Sequence, residues 1–324
     1  MPTWLKLALV AVTLCVWSVA TAAERVHIVI PAGPGGGLDG TAREAGRVLV
    51  ELGQVERMSF ENVSGGGGGR AMAYFLENAG RFDAPLLVNS TPLLVRSLQG
   101  VFPYGHRDLT PVAALVADYG VFVVRADDAR ADWDAVLGSL GTNPRAVTVG
   151  GGSTRGSLDH IVLAMALRAA DIDPLGVRYL PYDGGGKAML ALLGGEVDLL
   201  STGLGETMAY IEAGEVRALA VTSAHRIPAI AEVPTLTELG HSLVFANWRG
   251  LFGPPDMPAA VLEEHLRRLD AMRDSSAWQA VLERRGWDGL DTTGDDFAAF
   301  LDAQEAELRE IMEALGFVQS RPER

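Results

Sequence analysis

Four glycine-rich turns carry most of the chemistry available to this chain: Gly33-Pro-Gly-Gly-Gly-Leu-Asp39, Asn62-Val-Ser-Gly-Gly-Gly-Gly-Gly69, Gly150-Gly-Gly-Ser-Thr-Arg-Gly-Ser157 and Tyr182-Asp-Gly-Gly-Gly186. Each follows an apolar, strand-like run and precedes helical periodicity. A helix that begins there leaves its first N–H groups unpaired and carries partial positive charge, while glycines admit a ligand without a Cβ in the way, so such turns hold anions. Two shorter polar turns, Asn89-Ser-Thr91 and Ser201-Thr-Gly203, occupy further strand ends. A single glycine turn could merely permit a tight connection, whereas recurrence at matching positions in two halves of the chain points to a shared ligand cleft. Asp39 could meet a ligand or cap the helix after it. Ser64, Ser90, Thr91 and Thr202 could donate to ligand oxygens or serve the turns in the same way. Arg155 carries the planar fork that matches a carboxylate, against the alternative of a solvated surface arginine.

Catalysis finds less support. Ser157, Asp159 and His160 are hydrolase-type residues, but neighbours within one helical turn point to different faces and do not form a relay. No G-x-S-x-G elbow occurs. His106, His225, His241 and His265 have no metal-ligand spacing among themselves or with acids, and neither metal nor cofactor is expected. Gly35-Gly-Gly-Leu-Asp-Gly40 does satisfy G-x-G-x-x-G, with Glu61 at the end of the next strand-like run, so a dinucleotide-dependent oxidoreductase stands as the enzymatic alternative. Gly184-Gly-Gly-Lys187 is not a Walker A loop: Pro181 stands where the earlier glycine belongs and Ala188 where Ser or Thr belongs. Trp248 and Arg249 read as serving a strand, Trp248 by packing.

The turns are positioned by βα alternation. Strand-like runs fall at 26–30, 57–61 and 86–89, then at 110–115 and 120–125, and the scheme restarts at 146–149, 177–182, 197–200 and 216–222. A further strand at 247–252 stops at Gly253-Pro-Pro255, and amphipathic helices follow. If 120–125 leaves one lobe and 247–252 returns to it, the fold is two α/β lobes joined by two crossover segments, with a ligand cleft where the strands' carboxyl ends face each other. The expected division is residues 1–23 as a signal peptide, 24–119 plus 246–324 as the first lobe, and 120–245 as the second.

The signal peptide is read from Lys6, an apolar run over 7–20 and the small residues of Ala20-Thr-Ala-Ala23. No later segment approaches the roughly 18 uninterrupted apolar residues that a membrane span needs. The single cysteine, Cys15, lies within that leader, so thiol catalysis, zinc-thiolate sites and iron–sulfur clusters are excluded from the mature chain. The formal net charge of −14 disfavours nucleic acid as a partner, and an anionic ligand would have to be held by local N–H groups and a few positioned side chains against the global field.

In their order and spacing, Pro31-Ala-Gly-Pro-Gly-Gly-Gly-Leu-Asp-Gly-Thr-Ala-Arg43, Gly150-Gly-Gly-Ser-Thr-Arg-Gly-Ser-Leu-Asp-His160, Tyr182-Asp-Gly-Gly-Gly186, Leu193-Gly-Gly-Glu-Val-Asp198, Gly214-Glu-Val-Arg-Ala-Leu-Ala-Val221, Val233-Pro-Thr-Leu-Thr-Glu-Leu-Gly240 and Asn247-Trp-Arg-Gly250 resemble one family. It is the periplasmic substrate-binding proteins of tripartite tricarboxylate transporters, a group that includes the Bordetella uptake proteins. The Asp159-His160 pair and the Asn-Trp-Arg-Gly segment are closer to its tricarboxylate-binding branch than to its amino-acid and aromatic-acid binders. The resemblance implies a type II periplasmic binding fold, a monomer that closes on a small carboxylate such as citrate and presents it to a permease of one large and one small membrane subunit. A sensor kinase in the periplasm is the alternative partner. It implies that the carboxylate is held largely through backbone N–H groups and bridging waters. Gly35, Gly36, Gly37 and Asp39 would do so in the first turn, and Ser153, Thr154, Arg155, Gly156 and Ser157, with Tyr182 and Gly184, in the facing turns. At the second turn the family pattern Asn-x-Pro-Gly-Ala-Gly-Gly gives way to Ser64 followed by five glycines.

Overall fold

The computed structural model describes residues 25–318. The leader expected at 1–23 lies outside the described residues. From the first described residue the chain alternates as β1 (Arg25–Ile30), α1 (Gly37–Glu51), β2 (Arg57–Asn62), α2 (Gly69–Asn78), β3 (Pro85–Ser90) and α3 (Pro92–Leu98). β1 lies between β2 and β3 and parallel to both. Next comes β4 (Thr110–Arg125), a single strand of 16 residues where the sequence pattern suggested two. The apparent break around Asp118 misled: Val116, Ala117, Asp118 and Tyr119 are as deeply buried as their flanks, and the charge is neutralised inside the protein.

The alternation resumes with α4 (Trp133–Thr142), β5 (Thr148–Gly151), α5 (Leu158–Ala169), β6 (Arg178–Pro181), α6 (Gly185–Leu193), β7 (Leu199–Gly203), α7 (Leu204–Glu212) and β8 (Val216–Val221). Here β5 lies between β6 and β7, again parallel to both. The chain returns through β9 (Ala246–Gly253) and ends in α8 (Ala259–Arg273), α9 (Ser276–Arg285), the two-residue β10 (Asp288–Gly289) and α10 (Gly294–Ala314).

β4 serves both parallel sets. Its first half pairs antiparallel with β9, from Thr110 opposite Gly253 to Tyr119 opposite Ala246. Its second half pairs with β7, starting at Gly120 opposite Gly203, and with β8. The sheet therefore runs β2-β1-β3-β9-β4-β7-β5-β6. Where the partners change, Gly120 donates its N–H to the Thr222 hydroxyl (2.8 Å), which donates to the Phe245 carbonyl (2.6 Å), so one buried side chain clips the outgoing strand to the returning segment. α10 lays Phe297, Leu301, Leu308 and Met312 along one face onto β4 and α3, joining a core that includes Phe75 and Leu87 from the first set and Phe122 and Trp133 from the second. Among the described residues, no helix is long and apolar enough to cross a membrane.

Candidate functional site

The carboxyl ends of β1, β3, β5 and β7 face one cavity of about 150 Å³, closed from the other side by the middle of β4 and the start of β9. An engineered cavity of about that volume holds benzene, so the space suits a ligand of a few carbons. Among the described residues five helices begin at this wall; α3 does so with Pro92, which has no N–H to offer, and the other four are α1, α5, α6 and α7. The N-cap positions of these four are Gly36, Ser157, Gly184 and Gly203, and none of the four uses a side-chain cap. Their first-turn N–H groups and positive ends are thereby left for other partners.

Close backbone approach explains two of the glycines. The Gly184 N–H donates to the Gly152 carbonyl (3.0 Å), and a Cβ on Gly152 would strike the Gly184–Gly185 backbone. A Cβ on Gly37 would sit 2.6 Å from the Arg249 Cζ and 2.7 Å from Glu206 Oε1.

Three charged side chains reach the wall: Asp159 in the first turn of α5, Glu206 in the first turn of α7, and Arg249 in β9. Arg249 is ion-paired with Asp118 of β4, both buried, and donates to the Thr41 hydroxyl at 3.2 Å. Its guanidinium lies 5.2 Å over the Trp287 ring, and Asp118 also accepts from the Gly205 N–H at 3.1 Å. Glu206 spans the cleft. Its Oε1 accepts from the Gly37 N–H at 2.6 Å, and its Oε2 fills the space a Cβ on Gly185 would need, so one carboxylate lies between the starts of α1 and α6. Desolvation raises the Glu206 pKa. Desolvation, followed by the neighbouring Glu206 charge, pushes the Asp159 carboxyl up to about 7, against bonds from the Ser153 hydroxyl and Gly152 N–H. Both acids are half-buried by surface area, in keeping with their place on a cavity wall.

Of the residues singled out from sequence, Gly36, Gly37, Ser90, Ser153, Gly184 and Thr202 lie on this wall. Gly35 and Asp39 line a separate groove beside α1. Asp39 accepts from the Gly35 N–H (2.9 Å), Asn62 Nδ2 (2.9 Å) and Arg43 Nε (2.8 Å), and so ties the turn together. Thr91 is buried next to Ser90, off the wall. The second turn winds into a 3-10 helix, Gly66–Gly68, that leaves Ser64 away from the cavity, its carbonyl accepting from Arg70 at 3.1 Å. Thr154 and Arg155 are exposed, and the Arg155 guanidinium donates to the Tyr179 carbonyl at 2.7 Å. Gly156 donates to His160 Nδ1 (2.9 Å) and accepts from Gln99 (2.6 Å), while Ser157 occupies the α5 N-cap. Tyr182 donates its N–H to the Gly151 carbonyl at 2.8 Å, beside the wall.

Ser157, Asp159 and His160 do not converge: His160 stacks on Tyr179 at 4.5 Å, and desolvation with the Arg155 charge lowers its pKa to about 4. Glu61 accepts from the Tyr74 hydroxyl at 2.9 Å, off the cavity. Among the described residues, His106, Asp302 and Glu305 are brought together by folding, with Arg107 donating to both carboxylates, which makes an ion-pair network. Sequence reading missed Glu206, Asn247 and the Asp118–Arg249 pair as parts of this site. The available signal was a lone Asp in the middle of the apolar run of β4 and a lone Arg in β9.

Two parallel strand sets sharing one long strand, with helix starts around a small cavity, define a periplasmic-binding-protein fold, α/β in class. The chain belongs to the family described as tripartite tricarboxylate transporter family receptor, whose model matches residues 84–317. It is 30% identical over 271 residues to the UPF0065 protein in the tcbD-tcbE intergenic region of Pseudomonas sp. strain P51, covering 82% of this chain and 78% of that one. Among solved structures it is similar to MatC (Rpa3494) from Rhodopseudomonas palustris with bound malate, with TM-score 0.78 and 21% identity over 89% of this chain and 99% of that one. It is similar also to R. palustris Rpa4515 with adipate, with TM-score 0.80 and 22% identity over 93% and 98%. The family is one of solute-binding receptors and not of enzymes, which removes the oxidoreductase alternative.

Proposed function

We propose that this chain is exported behind a cleaved leader ending at Ala23 and works as a monomer in the periplasm. Its two lobes, 24–119 plus 246–324 and 120–245, close on a small di- or tricarboxylate. The closed form delivers that acid to a permease with one large and one small membrane subunit. The observation that carries this reading is the convergence of four uncapped helix starts on one cavity of about 150 Å³, an arrangement that favours a compact anion in a chain of net charge −14. The bound malate and adipate of MatC and Rpa4515 support the same ligand class. Within the proposed site, Gly36 and Gly185 bring backbone N–H groups to the anion, Gly37 and Gly184 line it while their own N–H groups are held by Glu206 and Gly152, and Ser90, Ser153 and Thr202 supply hydroxyls.

The test is thermal-shift titration of the mature protein with citrate, isocitrate, tricarballylate, malate, adipate, glutamate and benzoate. At a concentration of about one hundred Kd the bound acid stabilises by about 2.7 kcal/mol, a shift of several degrees. The reading fails if no acid raises the melting temperature while an uncharged solute does.

A further inference from the structure

The charges around the cavity do not suit the ligand class proposed above, and the mismatch is informative. Among the described residues Arg249 is the only cation on the wall, and Asp118 already neutralises it. The four helix starts supply roughly half a positive charge each, about two charges together. Asp159 and Glu206, both on the wall, would cancel all of that if both were ionised. A dicarboxylate would then enter a site with no net positive charge left, and its oxygens would face two carboxylates that offer no hydrogen to donate.

Off the wall, Arg285 of α9 adds one cation near Glu206, and it is itself paired with Glu44. Asp159 has Glu206 of α7 and Asp118 of β4 as like charges, Tyr179 of β6 as a neighbour, and bonds from Gly152 and Ser153. Glu206 has Arg249 of β9, Asp118 of β4 and Arg285 of α9 around it, and the Gly37 N–H of α1 on Oε1. α6 meets Glu206 with the backbone of Gly185.

We propose that Asp159 and Glu206 are ligand-binding residues that meet the captured carboxylate as neutral acids, so that binding takes up protons. Each proton comes from solvent and moves to a side-chain carboxylate oxygen, and the new O–H donates to a ligand oxygen; no other bond is made or broken. With Glu206 protonated, its hold on the Gly37 N–H weakens, and that donor becomes available to the ligand. The inference rests on the carboxylate reading of the site.

Calorimetric titration of malate, adipate and citrate into the mature protein, in phosphate and in Tris at pH 7.5 and in phosphate and in Bis-Tris at pH 6, tests it. The expected result is net uptake of roughly one proton or more per ligand at pH 7.5, with affinity falling by up to about tenfold per pH unit for each proton as pH rises above 7. Asp159→Asn, whose amide presents a donor at any pH, is expected to take up fewer protons on binding and to show a shallower pH profile that keeps only the share of Glu206, with thermal melting as the check on folding. Binding with no proton uptake and a flat profile from pH 6 to 8 overturns the proposal, as does a loss of more than about tenfold in Asp159→Asn at pH 6. Tighter binding of glutamate than of glutarate without proton uptake also overturns it, since the acids would then serve an ammonium group. If neither these three nor any other acid of the series above binds at either pH, the carboxylate reading itself fails and this proposal with it.

Discussion

Asp159 and His160 are adjacent in the chain and titrate in opposed senses. The Asp159 carboxyl is raised from 3.8 to about 7 by desolvation and then by Glu206, so between those values the folded state binds more protons than the unfolded one. Its contribution to stability therefore falls as pH rises through that window. The His160 imidazole is lowered from 6.5 to about 4 by desolvation and then by Arg155, so there the unfolded state binds more protons and stability falls as pH drops. Where the windows overlap, the two slopes, each up to about 1.4 kcal/mol per pH unit, oppose one another. Urea denaturation of the ligand-free protein between pH 4.5 and 6.5 should separate them. Relative to wild type, Asp159→Asn is expected to lose stability as pH falls and His160→Gln to gain it. A common response of the two variants would mean that one of these shifts is absent.

At the scale of elements, the start of α1 shows that glycines in one run do different work. Gly35 adopts φ +84°, a left-handed conformation that a side chain would strain. Gly36, at φ −81°, has only the Gly33 carbonyl near its missing Cβ, at 3.7 Å. Gly37 is pressed by Arg249 and Glu206. Gly36→Ala is accordingly expected to leave stability nearly unchanged, while Gly37→Ala forces the Arg249 and Glu206 side chains apart at about 1–3 kcal/mol. Differential scanning calorimetry of the two variants is the check; equal costs would show that Gly37 is not a packing position. Sequence alone marked the run as a turn leading into a helix, and it is one. It could not rank its glycines, because the atoms that crowd Gly37 come from residues 206 and 249.

At the scale of the whole molecule, two contacts join the lobes of the proposed clamshell away from the cavity. Gln99, after α3, donates to the Gly156 carbonyl at 2.6 Å, and Arg168 of α5 donates to the Ala314 carbonyl at the end of α10 at 2.5 Å. Neither Gln99 nor Arg168 touches the cavity wall. On the proposed clamshell, Gln99→Ala lowers the population of the closed form by the worth of one hydrogen bond, about 0.5–1.5 kcal/mol, and weakens carboxylate affinity by about two- to tenfold. Small-angle scattering should report a larger radius of gyration for the unliganded variant than for wild type, and saturating ligand should remove the difference. Unchanged affinity and unchanged scattering would show that this contact does not govern closure.

Local pattern was sufficient for the α/β alternation, the placing of nearly every strand, and the glycine turns at the strands' carboxyl ends, because apolar periodicity and backbone freedom are properties of neighbouring residues. It also marked Gly36, Gly37, Ser90, Ser153, Gly184 and Thr202, which the fold gathers on one wall. Three things depended on the tertiary structure. β4 is continuous because its buried Asp118 meets Arg249 from 131 residues further along the chain. Ser64 and Arg155 face away from the cavity because the turns that carry them fold against Arg70 and Tyr179. Asp159 and Glu206, 47 residues apart, become a pair only when α5 and α7 start at the same wall. A carboxylate's proton affinity is set by the charges and solvent within a few ångströms of it, and no spacing in the sequence specifies those.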